Sequence, residues 1–155
     1  MKQFGVFLTL LARSLVSGFG FWLIHPLWLA CVWSTQGYFP TGRDIARWYA
    51  PGAFSIAPVL SATLVGLVWG VALMCWGAKC SARVLRWAGA LAMSLAVPPI
   101  AYGLLLWYAG MLPFADISAA LPTLGRAYLY LGGTCFGVGW LMGAPLKTPS
   151  LVRRV

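Results

Sequence analysis

Side chains that could do chemistry are few in this sequence, and they lie far apart. The chain holds one histidine, His25, two acidic residues, Asp44 and Asp116, and no glutamate. Hydrolysis and glycosyl or phosphoryl transfer usually depend on carboxylates placed beside the reacting bond. One imidazole supplies neither a pair of haem ligands nor a recognisable metal site. We therefore expect no catalytic residue, no metal and no cofactor.

The cysteines do not form a redox motif either. The four cysteines contain no C-x-x-C pair, and their positions along the chain do not favour pairing on one side of a membrane: Cys31, Cys75, Cys80 and Cys135. A membrane thiol oxidoreductase needs paired thiols on the oxidising side. We expect these residues to serve as small, buried apolar side chains.

Two ionisable residues occur within apolar surroundings, and each is a candidate for an intramembrane function. His25 is followed by Pro26 in the first long apolar stretch, and Arg126 lies in the last. Ionisable groups at membrane depth are costly and usually face protein or a water-filled space. His25 is interpreted either as a neutral imidazole bonded to a neighbouring helix or as a proton-relay or quinone-contact residue. Arg126 lies near a span end, where its head can extend to the interface.

A proline pair adds a third candidate. Pro98 and Pro99 lie in the middle of an apolar stretch and remove two backbone donors, which should bend a helix. The carbonyls of Ser94 and Leu95 lose their usual partners. The pair predicts either a fixed kink or a hinge of the kind that transporters use.

These residues must be positioned by helices that cross a bilayer. Four apolar stretches are each long enough to span about 30 Å of hydrocarbon, and such spans must be helical because lipid offers no hydrogen bonds. They are Leu8–Trp33, Phe54–Trp76, Trp87–Ala109 and Leu121–Met142. Hydrophobic residues make up 61% of the chain and charged residues 8%. We predict an all-α integral membrane protein with four transmembrane helices in a single domain, residues 1–155.

The basic residues predict its orientation. Most Lys and Arg fall in the N-terminal segment, the second connection and the C-terminal segment, and the positive-inside rule places these in the cytoplasm. The net charge of +9 is therefore attributed to residues that set the membrane orientation. We expect the chain to contact membrane lipids and not nucleic acid. The composition, rich in Leu, Ala, Gly and Arg, is typical of a GC-rich bacterial genome, which predicts the bacterial inner membrane.

The first connection predicts a short amphipathic helix on the outer membrane surface. Thr41 and Asp44 have the spacing of a capping box. At helical spacing the apolar residues fall on one face and the arginines on another. Its residues form a predicted docking surface for a partner: Arg43, Asp44, Arg47, Trp48 and Tyr49. In the third connection, Asp116 is expected to cap a turn, and Pro122 to lie in the first turn of the fourth span.

Small residues at four-residue spacing predict close helix packing. They are Ala62, Gly66 and Gly70 in the second span, and Gly133 with Gly137 and Gly139 with Gly143 in the fourth. Small residues let helix backbones approach each other in lipid. The pattern does not distinguish contact within the chain from contact with another subunit.

Together these features favour a non-catalytic structural or assembly subunit of a larger inner-membrane complex, such as a secretion or conjugation machine, a respiratory complex or an envelope-synthesis complex. The hetero-oligomeric partners would be other membrane-protein subunits. A small transporter or channel protomer that uses the Pro98–Pro99 break is the alternative. A quinone-linked or redox membrane enzyme is the third possibility.

Overall fold

A computed structural model describes residues 2–50, 52–76, 79–110 and 117–143, with the side chains of residues 2–4, 53–55 and 117–120 left undescribed. This part of the chain is helical and contains no strand. The five helices are α1 (Lys2–Thr35), α2 (Gly42–Trp48), α3 (Ala53–Trp76), α4 (Ala82–Tyr108) and α5 (Ile117–Met142).

Three of these helices contain segments long and apolar enough to cross a membrane: Gly5–Thr35, Ile56–Trp76 and Ala82–Tyr108. The chain is thus a helical protein of the multi-pass membrane type. Helix α5 has 26 residues, which at 1.5 Å per residue gives a length of about 39 Å. It is long enough to cross, although it is not among the three segments that also meet the criterion of apolar composition.

The four long helices form an antiparallel bundle. Helix α1 packs between α3 and α5, and α4 packs between the same two helices on the opposite side. The contacts fix the directions: Arg13 of α1 lies beside Met142 of α5, whereas Trp28 lies beside Leu129. Short connections between antiparallel neighbours are typical of an up-down-up-down bundle.

Small residues on α3 allow it to pack closely on α1. A Cβ on Gly66 would collide with Ser17, and one on Gly70 would lie 3.0 Å from the side chain of Leu10. The Ser14 hydroxyl donates to the Thr63 carbonyl across this contact at 2.9 Å. Ala62 is fully buried in the same helix.

Helix α5 meets α4 backbone to backbone. A Cβ on Gly139 would collide with the carbonyl of Gly89, and one on Gly143 would lie 2.6 Å from the Cα of Arg86. Gly137 differs, because a Cβ there would meet no atom within 4 Å. Within the described residues Gly137 therefore has no close helix contact, and its contact with another subunit stays a prediction.

The core lies where all four long helices meet. Its largest fully buried apolar side chains are Phe21, Val97 and Val138. The buried cluster consists of Phe21, Ala62, Val65, Met93, Val97, Ala101, Leu131, Cys135 and Val138. Many other Leu and Val side chains on these helices are exposed, as expected for surfaces that face lipid.

The proline pair does not interrupt α4, which runs unbroken from Ala82 to Tyr108. Pro99 cannot donate to the carbonyl of Leu95, four residues earlier. The Tyr128 hydroxyl of α5 donates to that carbonyl instead, at 3.1 Å. Pro98 is fully buried in the packed interior, whereas Pro99 is half-buried.

The predicted helix in the first connection is confirmed as α2. The Thr41 hydroxyl accepts from the Asp44 amide at 3.4 Å, and the Asp44 carboxylate accepts from the Thr41 amide at 2.9 Å, which completes a capping box. The Tyr49 hydroxyl donates to the Leu23 carbonyl at 2.8 Å and fastens the end of α2 to α1.

Two sequence expectations are wrong. Pro122 does not lie in the first turn of its helix, because α5 already begins at Ile117. Only Cys135 is a buried cysteine, whereas Cys31, Cys75 and Cys80 are exposed on helix surfaces or in a connection, where no neighbouring helix covers them. Asp116 and its predicted cap lie outside the described residues.

Candidate functional site: a cavity in the open half of the bundle

A cavity of about 300 Å³ lies between the four long helices, in the half of the bundle where α1 ends and α5 begins. Its lining surface is mainly apolar. Five of the lining residues have apolar side chains, namely Pro58, Ala101, Leu105, Ala127 and Leu131, and five carry a polar or ionisable group, namely His25, Tyr102, Thr123, Arg126 and Tyr130. The two ionisable residues that sequence alone marked inside the spans therefore share one space. Their separation in sequence gave no sign of this.

His25 is held in place by its neighbours on two sides. Its Nδ1 lies 3.3 Å from the Thr134 hydroxyl of α5, with the direction of the hydrogen bond set by the imidazole tautomer. Its ring stacks on Phe21, with ring centroids 5.0 Å apart. Thr134 is fully buried. This is the arrangement expected of a histidine bonded to a neighbouring helix, and the second ring nitrogen has no partner within the described residues.

Arg126 supplies the one charge at this cavity. It is exposed, and in the described part of the chain no hydrogen bond or ion pair holds its guanidinium. Arginine presents a planar fork of five N–H donors, which suits the oxygens of carboxylate and phosphate groups. The cavity therefore offers a cationic donor beside the hydroxyl of Thr123.

The inner end of the cavity is closed by the core. Ala101 and Leu131 line the cavity and are also members of the buried cluster. Beyond them, Val97 and Val138 are fully buried. The space is thus a blind recess within the described helices, suited to binding at one end of the bundle.

Pro98 and Pro99 do not line this recess. Since the carbonyl freed by Pro99 is already bonded to Tyr128, the break offers no vacant carbonyl of Leu95 to an ion. The proline pair therefore lies outside the recess that His25 and Arg126 border.

The predicted docking surface on α2 is used partly within the chain. Tyr49 is committed to α1, and its ring packs edge-on against Trp22 at 5.2 Å. Hydrogen bonds from Thr41 and then Tyr38 hold the pKa of Asp44 below its usual range. Arg43 and Arg47 remain exposed.

Several cavity residues escaped the sequence reasoning. Tyr102, Thr123 and Tyr130 are ordinary components of membrane helices, and nothing in their spacing reveals a shared cavity. Thr134 lies far from His25 in the sequence, and only the antiparallel pairing of α1 and α5 brings the two side chains together. Polar residues that face the interior of the bundle on both helices are the sequence signal that could have identified this contact.

No protein-family model matches the sequence, and neither a curated protein nor a solved structure is significantly similar to it.

Proposed function

We propose that this chain is a non-catalytic subunit of a larger bacterial inner-membrane assembly and that it acts by packing against partner membrane proteins. One observation carries the proposal: an apolar groove of about 490 Å³ between α3 and α4. Its walls are Leu64, Val65, Val68, Trp69, Ala92, Leu95, Ala96 and Ile100. All eight of these residues are apolar, so the groove suits the apolar face of a partner helix.

The same proposal includes four membrane spans. Helix α5 runs antiparallel beside both α4 and α1, two helices that are apolar enough to span. Its packing against these two helices supports a fourth span across the same hydrocarbon layer. Its Arg126 lies in the outer part of the helix, where an arginine head can extend to the interface.

The proposed orientation has both chain ends in the cytoplasm. Lys79, Arg83 and Arg86 lie at the end of the bundle where α1 begins, and α2 lies at the other end. This distribution supports the orientation that the positive-inside rule predicts. Single-cysteine variants test it with a membrane-impermeant thiol reagent on intact cells. We expect labelling of Arg43→Cys and none of Cys80, and the opposite result would overturn the orientation.

The groove is tested by site-specific photo-crosslinking in native membranes. A photoreactive side chain at Val68, an exposed groove residue, should capture one membrane protein reproducibly. The matched control is Val16, which is also apolar and exposed but lies on α1.

A substitution that fills the groove tests whether the captured partner binds there. Val68→Trp should reduce recovery of the captured partner in mild detergent, whereas Val16→Trp should leave it unchanged at equal membrane abundance. Equal recovery with both variants would indicate that lipid, and not a subunit, fills the groove.

The transporter alternative rests on the cavity alone, because Pro98 and Pro99 do not line it. A recess closed by buried side chains favours binding over passage. The quinone-linked alternative stays a hypothesis about His25, whose ring borders the same recess.

A further inference from the structure

The cavity at Arg126 has an apolar neighbour. A crevice of about 200 Å³ lies on the membrane-facing side of α3 and α4, and its walls include Ile56, Leu60 and Trp107. Leu105 lines both the crevice and the cavity, so the two spaces adjoin. Both spaces are lined mainly by apolar surface, and the cavity adds the guanidinium of Arg126.

We propose that these two spaces together bind an anionic phospholipid of the surrounding membrane, with its phosphate at Arg126 and part of an acyl chain in the crevice. The inference goes beyond the assembly role and does not depend on it, because the groove between α3 and α4 and the Arg126 cavity are tested separately.

Charge supports the anionic headgroup. Among the described residues no carboxylate lines the cavity, and their one acidic residue, Asp44, already accepts hydrogen bonds from Thr41 and Tyr38. These residues therefore offer no carboxylate to Arg126, which leaves its donors able to bind an anionic headgroup. A guanidinium near the membrane surface attracts anionic lipid, and it holds phosphate oxygens in a bidentate manner.

Size and lining support an amphiphile rather than a free ion. A volume of about 300 Å³ lies at the lower end of the range of ligand pockets, which begins at about 300 Å³. Inorganic phosphate would pair with Arg126 but leave the apolar lining of the cavity and of the adjoining crevice unused. Trp107, at the crevice, belongs to the residue type that favours the headgroup level of a bilayer.

Native mass spectrometry of the full chain in detergent provides the test. The protein is titrated with phosphatidylglycerol, and separately with phosphatidylcholine of identical acyl chains. We expect preferential retention of the anionic lipid, reduced at least about fivefold by Arg126→Gln, since one arginine near the surface contributes about 1 kcal/mol. The matched control is Arg43→Gln, which removes the same charge from α2 and should leave retention unchanged.

A second variant tests the crevice. Ile56→Trp places a larger ring at an exposed crevice residue and leaves Arg126 in place. It should weaken retention of phosphatidylglycerol while the total positive charge is unchanged. Unchanged retention would overturn the placement of the acyl chain.

The remaining outcomes oppose the proposal. Equal retention of the neutral lipid, or equal loss in Arg43→Gln and Arg126→Gln, would show that the cavity does not select an anion. Displacement of the bound lipid by millimolar inorganic phosphate alone would assign the site to a soluble phosphate. Circular dichroism of each variant verifies that the helices are retained.

Discussion

The two halves of the bundle are built differently from the same four helices. In the closed half, around Gly89 and Gly139, α4 and α5 touch through their backbones. In the open half, His25 and Arg126 border a cavity of about 300 Å³ between the four long helices. In lipid, where helices gain little from apolar burial, close approach at small residues contributes to packing energy. The placement of a few glycines thus decides where α4 and α5 touch through their backbones.

The largest effect should come from filling the backbone contact in the closed half. Gly139→Leu places a side chain where Gly89 already lies, and we expect it to destabilise the bundle by about 3 kcal/mol or more, because neither backbone can move aside cheaply. Gly137→Leu is the matched control, since a Cβ there meets open space. Unfolding in mixed micelles measures both. Equal destabilisation would remove the distinction between these two glycines.

This pair also shows how far the sequence predicts the packing. Glycine spacing marked Gly137 and Gly139 alike, yet only Gly139 meets a neighbouring helix. Helix periodicity predicts which residues share a face, but the rotation of α5 about its axis depends on the helices around it. The partner glycine, Gly89, lies on α4 without a second glycine four residues away, so a spacing rule does not find it.

The helices themselves are easier to predict from the sequence than their packing. Long apolar stretches and the Thr41–Asp44 capping box are local signals, so the helical class and α2 follow from them. The cavity depends on residues that are distant in the sequence, because His25 and Arg126 both line it. Only the antiparallel packing of the helices brings these two residues to one cavity.

A second prediction concerns a buried cation in the closed half. Arg13 is 8% exposed, and its Nη1 lies 3.5 Å from the carbonyl of Met142 at the end of α5. Positive charge stabilises the carbonyl end of a helix. Arg13→Leu keeps an apolar side chain but removes these donors, and we expect a loss of about 2 kcal/mol. Arg83→Leu, at an exposed residue, should change stability by less than about 0.5 kcal/mol. Similar values for the two variants would show that the contact between Arg13 and the end of α5 contributes nothing to stability.

A third, smaller effect lies between the halves, at the proline pair. Tyr128→Phe removes the hydroxyl that donates to the Leu95 carbonyl, and should cost about 1 kcal/mol. Pro99→Ala restores a backbone donor for the same carbonyl. Tyr128→Phe should therefore cost less in a Pro99→Ala background than alone, which a double-mutant cycle of unfolding free energies measures. Additive effects would show that the hydroxyl does not replace the missing backbone donor.

The smallest effect concerns the exposed connection at the open end, where stability depends on pH. Hydrogen bonds from Thr41 and Tyr38 hold the pKa of Asp44 below its usual range, so the carboxylate stabilises α2 at pH values above the ordinary carboxyl pKa. That contribution is lost as the pH falls through the lowered pKa.

The Tyr38 hydroxyl donates to Asp44 at 3.0 Å, and this bond raises the pKa of Tyr38. Asp44→Asn should remove the acid dependence and lower the pKa of Tyr38 towards its ordinary value. Phenolate absorbance, taken as a difference against Tyr38→Phe, measures the second effect. An unchanged Tyr38 titration in Asp44→Asn would separate the tyrosine from the capping box and leave α2 held to α1 through Tyr49 alone.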